Sequence, residues 1–282
     1  MASLKDQWYY LQNQIAFRKA PIPVLWRLAV WRLRTAFNRG ATITLHRWEV
    51  SLYLPPQWRG VSKLIFAFRE YYEPELSYLE HLLEPGVSTV DIGANFGIYT
   101  LVMTRIVGHT GAIFAFEPAT DAFIILQHNI RYNGFENVHL FNFALSDTEG
   151  SAYLYHHTDP SRSSIGMDPT MALVRERVLT RTLDKCLMDF HYPRLRLIKA
   201  DVEGAEELVF RGALETLSEY RPVIIFEVNP NAAQALGLQP TGAWEVLNWL
   251  GYRFYCLTPS TELRRLEIPP AGGNVIAIHS RV

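Results

Sequence analysis

Val90-Asp91-Ile92-Gly93-Ala94-Asn95-Phe96-Gly97-Ile98-Tyr99-Thr100 carries more structural information than any other stretch of this chain. A strand-like run from Val87 to Ile92, apolar at Val87, Val90 and Ile92, holds Asp91 near its end and stops at Gly93. Gly97 then opens a helix-spaced apolar pattern, Ile98, Leu101, Val102 and Ile106. A strand, a tight glycine turn and a helix N-terminus form a usual seat for a nucleotide-like ligand. Dinucleotide folds want G-x-G-x-x-G, whose middle glycine lets the backbone touch a pyrophosphate. Here Ala94 and Asn95 follow Gly93, so that glycine is absent. Asp91 also places a carboxylate where a diphosphate would be repelled. A ligand with a cationic end suits it better.

The next acid fits the same frame. Ala112-Ile113-Phe114-Ala115-Phe116 reads as a second buried strand and ends in Glu117-Pro118, with Glu117 lying 24 positions after Gly93. An acid about 20 residues beyond such a turn accepts hydrogen bonds from ribose hydroxyls. That feature serves NAD and S-adenosylmethionine (SAM) alike. The methionine part of SAM carries an ammonium and a sulfonium, which makes SAM the better match to Asp91.

Three segments in this order, DIGANFG from Asp91, FEP from Phe116, and Leu197-Ile198-Lys199-Ala200-Asp201-Val202-Glu203-Gly204-Ala205-Glu206, resemble the FkbM family of SAM-dependent methyltransferases. Smaller marks agree: Tyr72-Glu73-Pro74, Ser163-Ser164-Ile165 and Arg181-Thr182-Leu183-Asp184. The resemblance runs from about Arg69 to Val228. It implies a class I methyltransferase fold: a Rossmann-like α/β architecture, mostly parallel, with helices on both faces and an antiparallel last strand. It implies O-methylation of a sugar, glycolipid or secondary-metabolite hydroxyl. Matching motif positions assign Asp91, Gly93, Asn95, Gly97 and Glu117 to the cofactor, with Asn142 and Ala144 near its adenine. Asp201 lies where such enzymes place the acceptor.

The alternation of patterns supports that architecture. Strands are expected near 87–92, 112–117, 137–143, 195–201 and 222–228, with helices near 96–107, 119–133, 205–218 and 240–250. Two closing strands are expected at 252–257 and 274–279. Residues 69–282 form the expected methyltransferase domain. An insertion at about 146–194 holds a short strand and a polar loop that includes His156-His157, a reasonable place for a substrate lid. Residues 1–68 form a helical and strand extension. It contains helical spacing from Leu4 to Ile15, a second helix at about 24–38 and strand material at 42–54; a helix over 69–83 then opens the methyltransferase domain.

Of 282 residues, 27 are basic and 28 acidic, which gives no basic excess for a nucleic-acid partner. The near-neutral total hides an asymmetry: residues 1–40 hold seven basic residues against Asp6, leaving the remainder net acidic. Cys186 and Cys256 match no metal or redox spacing and suit a reducing compartment. No signal-like segment opens the chain. A cytoplasmic location is therefore expected, with the basic arm available for peripheral membrane contact or self-association.

Methyl transfer requires the acceptor to be aligned and its proton removed. Asp201, Glu203 and Glu227 are the candidate catalytic acids at the ends of two central strands. Glu203 also suits a helix cap. No metal ligand is assigned, although Asp201, Glu227 and Asn229 offer the oxygen chemistry of Mg²⁺. The competing functional class is a SAM-binding or membrane-docked adaptor without catalysis.

Overall fold

A computed structural model describes residues 4–57, 60–157, 163–164, 172–188, 190, 194–258 and 260–280. The chain opens with three helices, α1 (Leu4–Asn13), α2 (Ile15–Lys19) and α3 (Pro21–Ala36), followed by the hairpin β1 (Ala41–Leu45) and β2 (Val50–Leu54). Pro21 and Pro23 open α3 rather than separating it from its start, because the first turn of a helix has no use for their missing N–H groups. The strand material expected at 42–54 is folded back on itself, with Leu45 opposite Val50.

The helix expected over 69–83 is shorter: a 3₁₀ turn (Arg69–Tyr71) leads into α5 (Pro74–Leu82), and a separate helix, α4 (Val61–Phe68), precedes it. Arg69, at φ 57°, breaks the run. Its inward leucines are as expected: Leu76, Leu79, Leu82 and Leu83 are buried. Next come β3 (Ser88–Ile92), α6 (Ile98–Val107), β4 (Ala112–Phe116), α7 (Thr120–Tyr132) and β5 (Val138–Phe141).

The insertion is richer in strand than its sequence suggests. It contains β6 (Ala144–Leu145), β7 (Gly150–His157), β8 (Ser163–Ser164) and β9 (Ala172–Arg181), a four-stranded sheet in the order β6-β9-β7-β8. Much of the polar loop expected there lies outside the described residues, as do the side chains of His156 and His157. The chain continues through α8 (Leu183–Met188), β10 (Leu195–Ala200), α9 (Glu206–Arg211), α10 (Leu214–Tyr220), β11 (Val223–Val228), α11 (Pro230–Ala235) and α12 (Gly242–Trp249). The helix expected at 205–218 is therefore α9 plus α10, interrupted at Gly212-Ala213. A Cβ at Gly212 would meet the Ser146 carbonyl oxygen at 2.0 Å, so the chain pinches against the start of the insertion there. Three strands finish the chain: β12 (Tyr252–Leu257), β13 (Leu263–Leu266) and β14 (Gly273–His279).

The main sheet has eight strands in the order β13-β12-β14-β11-β10-β3-β4-β5. The five from β11 to β5 are parallel, and β14 enters antiparallel between β11 and β12. This is the class I methyltransferase arrangement, with β13 as an extra edge strand. Every residue of β3 is buried, as expected for a parallel strand covered on both faces. One face packs on Leu76, Leu79, Leu101, Val102 and Leu126 of α5, α6 and α7. The other packs on Leu183, Val209, Phe210, Leu217 and Leu247 of α8, α9, α10 and α12.

The N-terminal hairpin belongs to the first of these cores: Ile43, Leu45, Leu52 and Leu54 are buried in the same cluster as α5 and α6. Asn129 of α7 and Asn133 at its C-terminal cap act as a substitute strand for β2. Asn133 accepts from Ser51 N (2.8 Å) and donates to Ser51 O (2.6 Å). Asn129 accepts from Tyr53 N (2.6 Å) and donates to Tyr53 O (3.2 Å) and Phe96 O (2.8 Å). A side-chain amide matches a peptide group in donors and acceptors, so it closes a sheet edge that would otherwise lie open. Asn129 thereby joins the extension to the glycine turn.

Candidate active site

The strand order reverses between β3 and β10, because β3 leads to β4 on one side and the second half of the chain returns on the other. Ligands of open α/β sheets bind beyond the strand ends at that switch. The two strand ends touch there. Asp201 N donates to Ile92 O at 2.9 Å, and a Cβ on Gly93 would lie 1.9 Å from Asp201 O. Gly93 is at φ +76° and Gly97 at φ +91°, so both the close approach and the backbone call for glycine. Asn95 takes φ 51° without being glycine, a conformation asparagine tolerates.

Asn95 N donates to Glu117 Oε2 at 2.7 Å, and Ala119 N donates to Glu117 Oε1 at 2.8 Å. The carboxylate is thus held across the mouths of β3 and β4. Burial pushes its pKa up to about 7, against the lowering effect of the two N–H bonds. Asn95 Oδ1 is buried and has no hydrogen-bond partner. Asn142, at the end of β5, donates to Glu117 O (2.9 Å) and Pro118 O (3.1 Å), and so braces the same turn. Ala144 is buried with Ala119, Leu154 and Val178 beneath the insertion.

A buried cation organises the neighbouring end of the sheet. Lys199 is 1 % exposed on β10, in register with Asp91 of β3. A lysine is almost never this buried unless paired. Its Nζ lies 3.3 Å from Asp201 Oδ2 and 5.1 Å from the centre of the Tyr99 ring, yet it makes no well-formed hydrogen bond. Burial alone would lower its pKa. Asp201, Glu73 and Asp91 more than offset this and hold it above the ordinary lysine value.

Asp91 is itself buried and accepts from the Thr100 hydroxyl; burial raises its pKa to about 6. The carboxylate expected to face a cationic ligand therefore has a counter-ion inside the protein. The half-buried Glu73, just before α5, accepts from Tyr99 OH at 2.6 Å and from Asn274 Nδ2 at 3.4 Å. Burial raises its pKa as well. Glu227 on β11 pairs with Asn274 of β14 and is raised by burial and then by the charge of Asp201. The Asp201 side chain is 39 % exposed, against 1 % for its partner Lys199.

The remaining sequence candidates sort by geometry. Glu203 sits in the turn after β10 at φ 51°. The helix that follows, α9, has no side-chain cap at its N-terminus; Glu206 Oε1 instead accepts from Val202 N (3.0 Å) and Gly204 N (3.4 Å) and braces the turn. Asn229 Oδ1 caps α11 by accepting from Ala232 N at 3.2 Å, so that oxygen is already engaged. Among the described residues, no three His, Cys, Asp or Glu side chains are grouped as a metal set.

Glu73, Tyr99, Lys199 and Asn274 were not assigned from sequence. Lys199 had a signal: a lysine directly between the apolar residues Ile198 and Ala200 of a strand expected to be buried. Asn274 had none, because it reaches the site from the far end of the chain.

Glu206 yields a pH prediction. Burial raises its pKa to about 7, above the usual glutamate value. The folded state then holds this proton more tightly than the unfolded chain. The associated stability is present below about pH 4 and is lost as pH rises through about 7. Glu206→Gln keeps the accepting oxygen and removes the charge. Thermal melts should show it matching wild type near pH 4.5 and exceeding it near pH 8. An unchanged difference across that range would refute the assignment.

The profile of the methyltransferase FkbM domain matches residues 91–254. The chain belongs to that family. It is 30 % identical over 142 residues to Methyltransferase 1 of Beauveria bassiana, covering 44 % of this chain and 57 % of that protein. It is 31 % identical over 156 residues to Methyltransferase sdnD of Sordaria araneosa, covering 45 % and 60 %. The chain thus spans a little over half the length of these curated relatives. The crystal structure of Methyltransferase FkbM from Methylobacillus flagellatus aligns with TM-score 0.44 at 15 % identity, over 77 % of this chain and 53 % of that one.

Proposed function

We propose that this chain is a SAM-dependent methyltransferase that acts on a hydroxyl of a sugar, glycolipid or secondary metabolite. The observation that carries the proposal is the pairing of two features at one switch point: the Glu117–Asn95 turn, and the acid cluster around Lys199 that opens at Asp201. The residues present fit the donor. Glu117 stands at the strand end with lone pairs still available to ribose hydroxyls. Asn95 Oδ1 is a buried acceptor awaiting a donor. The acids Asp201, Glu73 and Glu227 exceed the single charge of Lys199, which suits a cationic methionine end.

When bound, SAM supplies a methyl group on a positively charged sulfur. The chain's own part is to orient and to manage a proton. Asp201 faces the crevice and is fixed by Lys199, so it can hold the acceptor hydroxyl. Glu227, its pKa raised, can take the hydroxyl proton as the acceptor oxygen bonds to carbon. Lys199 and Tyr99 position the carboxylates from below. The O-acceptor class rests on family resemblance, and Asp201 and Glu227 give it a proton route.

Calorimetry and a radiolabelled acceptor panel test this reading. Glu117→Ala should bind SAM roughly ten- to a hundredfold more weakly, the cost of a charge-assisted hydrogen bond. Asp201→Asn should keep SAM affinity within a few-fold while turnover falls at least about a hundredfold. Unchanged SAM affinity in Glu117→Ala removes the cofactor assignment. Wild-type turnover in Asp201→Asn removes the catalytic one. SAM binding with no acceptor methylated in any class would favour the adaptor reading, and activity abolished by chelator would bring a metal back.

A further inference from the structure

The helix α3 is apolar on two opposite faces, and only one of them is used. Val24 and Trp31 are 1 % and 0 % exposed. Trp31 packs against Phe66 of α4 with ring centres 4.8 Å apart and planes tilted by 33°, and its Nε1 donates to Gln57 O at 2.7 Å. From the side of the helix, Arg27 donates to Ala67 O at 3.2 Å. These contacts fix the rotation of α3 against α4. The other face then points outward. Ile22 is 79 % exposed, Trp26 70 %, Leu33 62 % and Phe37 69 %, with Leu25 and Ala29 exposed between them.

At about 100° per residue these six side chains fall within a sector of about 120°. The sequence pattern alone favours this stripe as the core-facing side. The structure instead seats the helix through Val24, Leu28 and Trp31. A contiguous exposed apolar stripe marks an interaction surface.

Charge selects the partner. From Gln7 to Trp48 the chain carries seven basic residues and no acid. Arg32 lies at one edge of the stripe, Arg34 and Arg27 beyond the other, and Arg39 just past the helix end. A helix of 16 residues is about 24 Å long. Among the described residues no helix is long and apolar enough to cross a membrane. An apolar stripe bearing tryptophan and bordered by arginine is the pattern of a helix lying in an anionic bilayer interface. A second copy of the chain would bring the same positive charge to the same face. We propose that the outward face of α3 docks this protein on an anionic lipid surface.

The test is flotation of the full chain with vesicles of phosphatidylcholine alone or mixed with phosphatidylglycerol, at low and high salt. Wild type should float with the anionic vesicles at low salt and be released by high salt. Trp26→Ser/Leu33→Ser/Phe37→Ser alters only exposed side chains, so its melting temperature should match wild type. Its partitioning should drop by at least about tenfold. Arg32→Gln/Arg39→Gln should lose about fivefold per charge, since each basic residue contributes about 1 kcal/mol near such a surface. No flotation of wild type overturns the proposal, as does equal flotation of the triple variant or equal binding to neutral vesicles. A concentration-dependent dimer in sedimentation, abolished by the triple variant while nothing floats, would assign the face to a second copy and overturn it too.

Discussion

Lys199→Met is expected to cost about 3–5 kcal/mol of stability at pH 8, the usual penalty for removing one partner of a buried charge group. The ammonium is the counter-charge shared by Asp91, Glu73 and Asp201, and methionine fills the space without supplying it. With Lys199 present Asp91 is ionised at that pH, its pKa reaching about 6, and the variant leaves that buried charge without its partner. Losing Lys199 should raise the pKa values of Asp91 and Glu73 further. Protonation on acidification then relieves the repulsion, so the variant should recover part of its deficit between pH 8 and pH 5.

Adding Asp91→Asn should restore stability rather than add a second loss, because the two residues share one network. Urea melts of wild type, Lys199→Met, Asp91→Asn and the double variant at both pH values measure this. A Lys199→Met protein as stable as wild type at pH 8 would mean that the carboxylates are already neutral and that Lys199 organises nothing.

Gly93→Ala is expected to remove SAM binding, at least about a hundredfold, and to destabilise the fold by more than the ordinary cost of a positive φ. Two effects coincide at this position. The φ of +76° costs an alanine about 1–2 kcal/mol. The added Cβ would then sit 1.9 Å from Asp201 O, a backbone atom with no freedom to rotate away. The ends of β3 and β10 would have to separate, and the hydrogen bond from Asp201 N to Ile92 O would go with them.

Gly134→Ala separates the two effects. Gly134 has φ +67° with nothing within 4 Å of its ideal Cβ, so only the backbone term applies. Its loss should be about 1–2 kcal/mol, with SAM affinity unchanged. Comparable melting temperatures for the two alanine variants would show that the contact between strand ends gives way easily.

The glycine turn and the alternation of elements were legible in sequence because both are local. A strand-like run of six residues, a glycine and a helical apolar period occupy adjacent positions, and each has a separate physical requirement. The same reasoning found Glu117, since the acid that ends the second strand is set by chain order. Helix interruptions were harder to read. Arg69 sits at a positive φ between α4 and α5, and no local residue announces it. Gly212 breaks the α9–α10 run because Ser146, 66 positions earlier, packs against it.

What the sequence determined by itself is the order of strands and helices, the turn and its acids, and the basic charge of the first 40 residues. Only the tertiary structure decided which charges meet. Glu73, Asp91, Lys199, Asp201, Glu227 and Asn274 come from six separated positions, joined by a parallel register that sets Lys199 beside Asp91 and by an antiparallel strand that sets Asn274 beside Glu227. It likewise decided which side of α3 is buried. Both faces of that helix are apolar, and periodicity favours the wider stripe, which the structure leaves outside. The ranking came from the fit of Trp31 against Phe66 and Gln57, a matter of shape at a distance in sequence that no local pattern records.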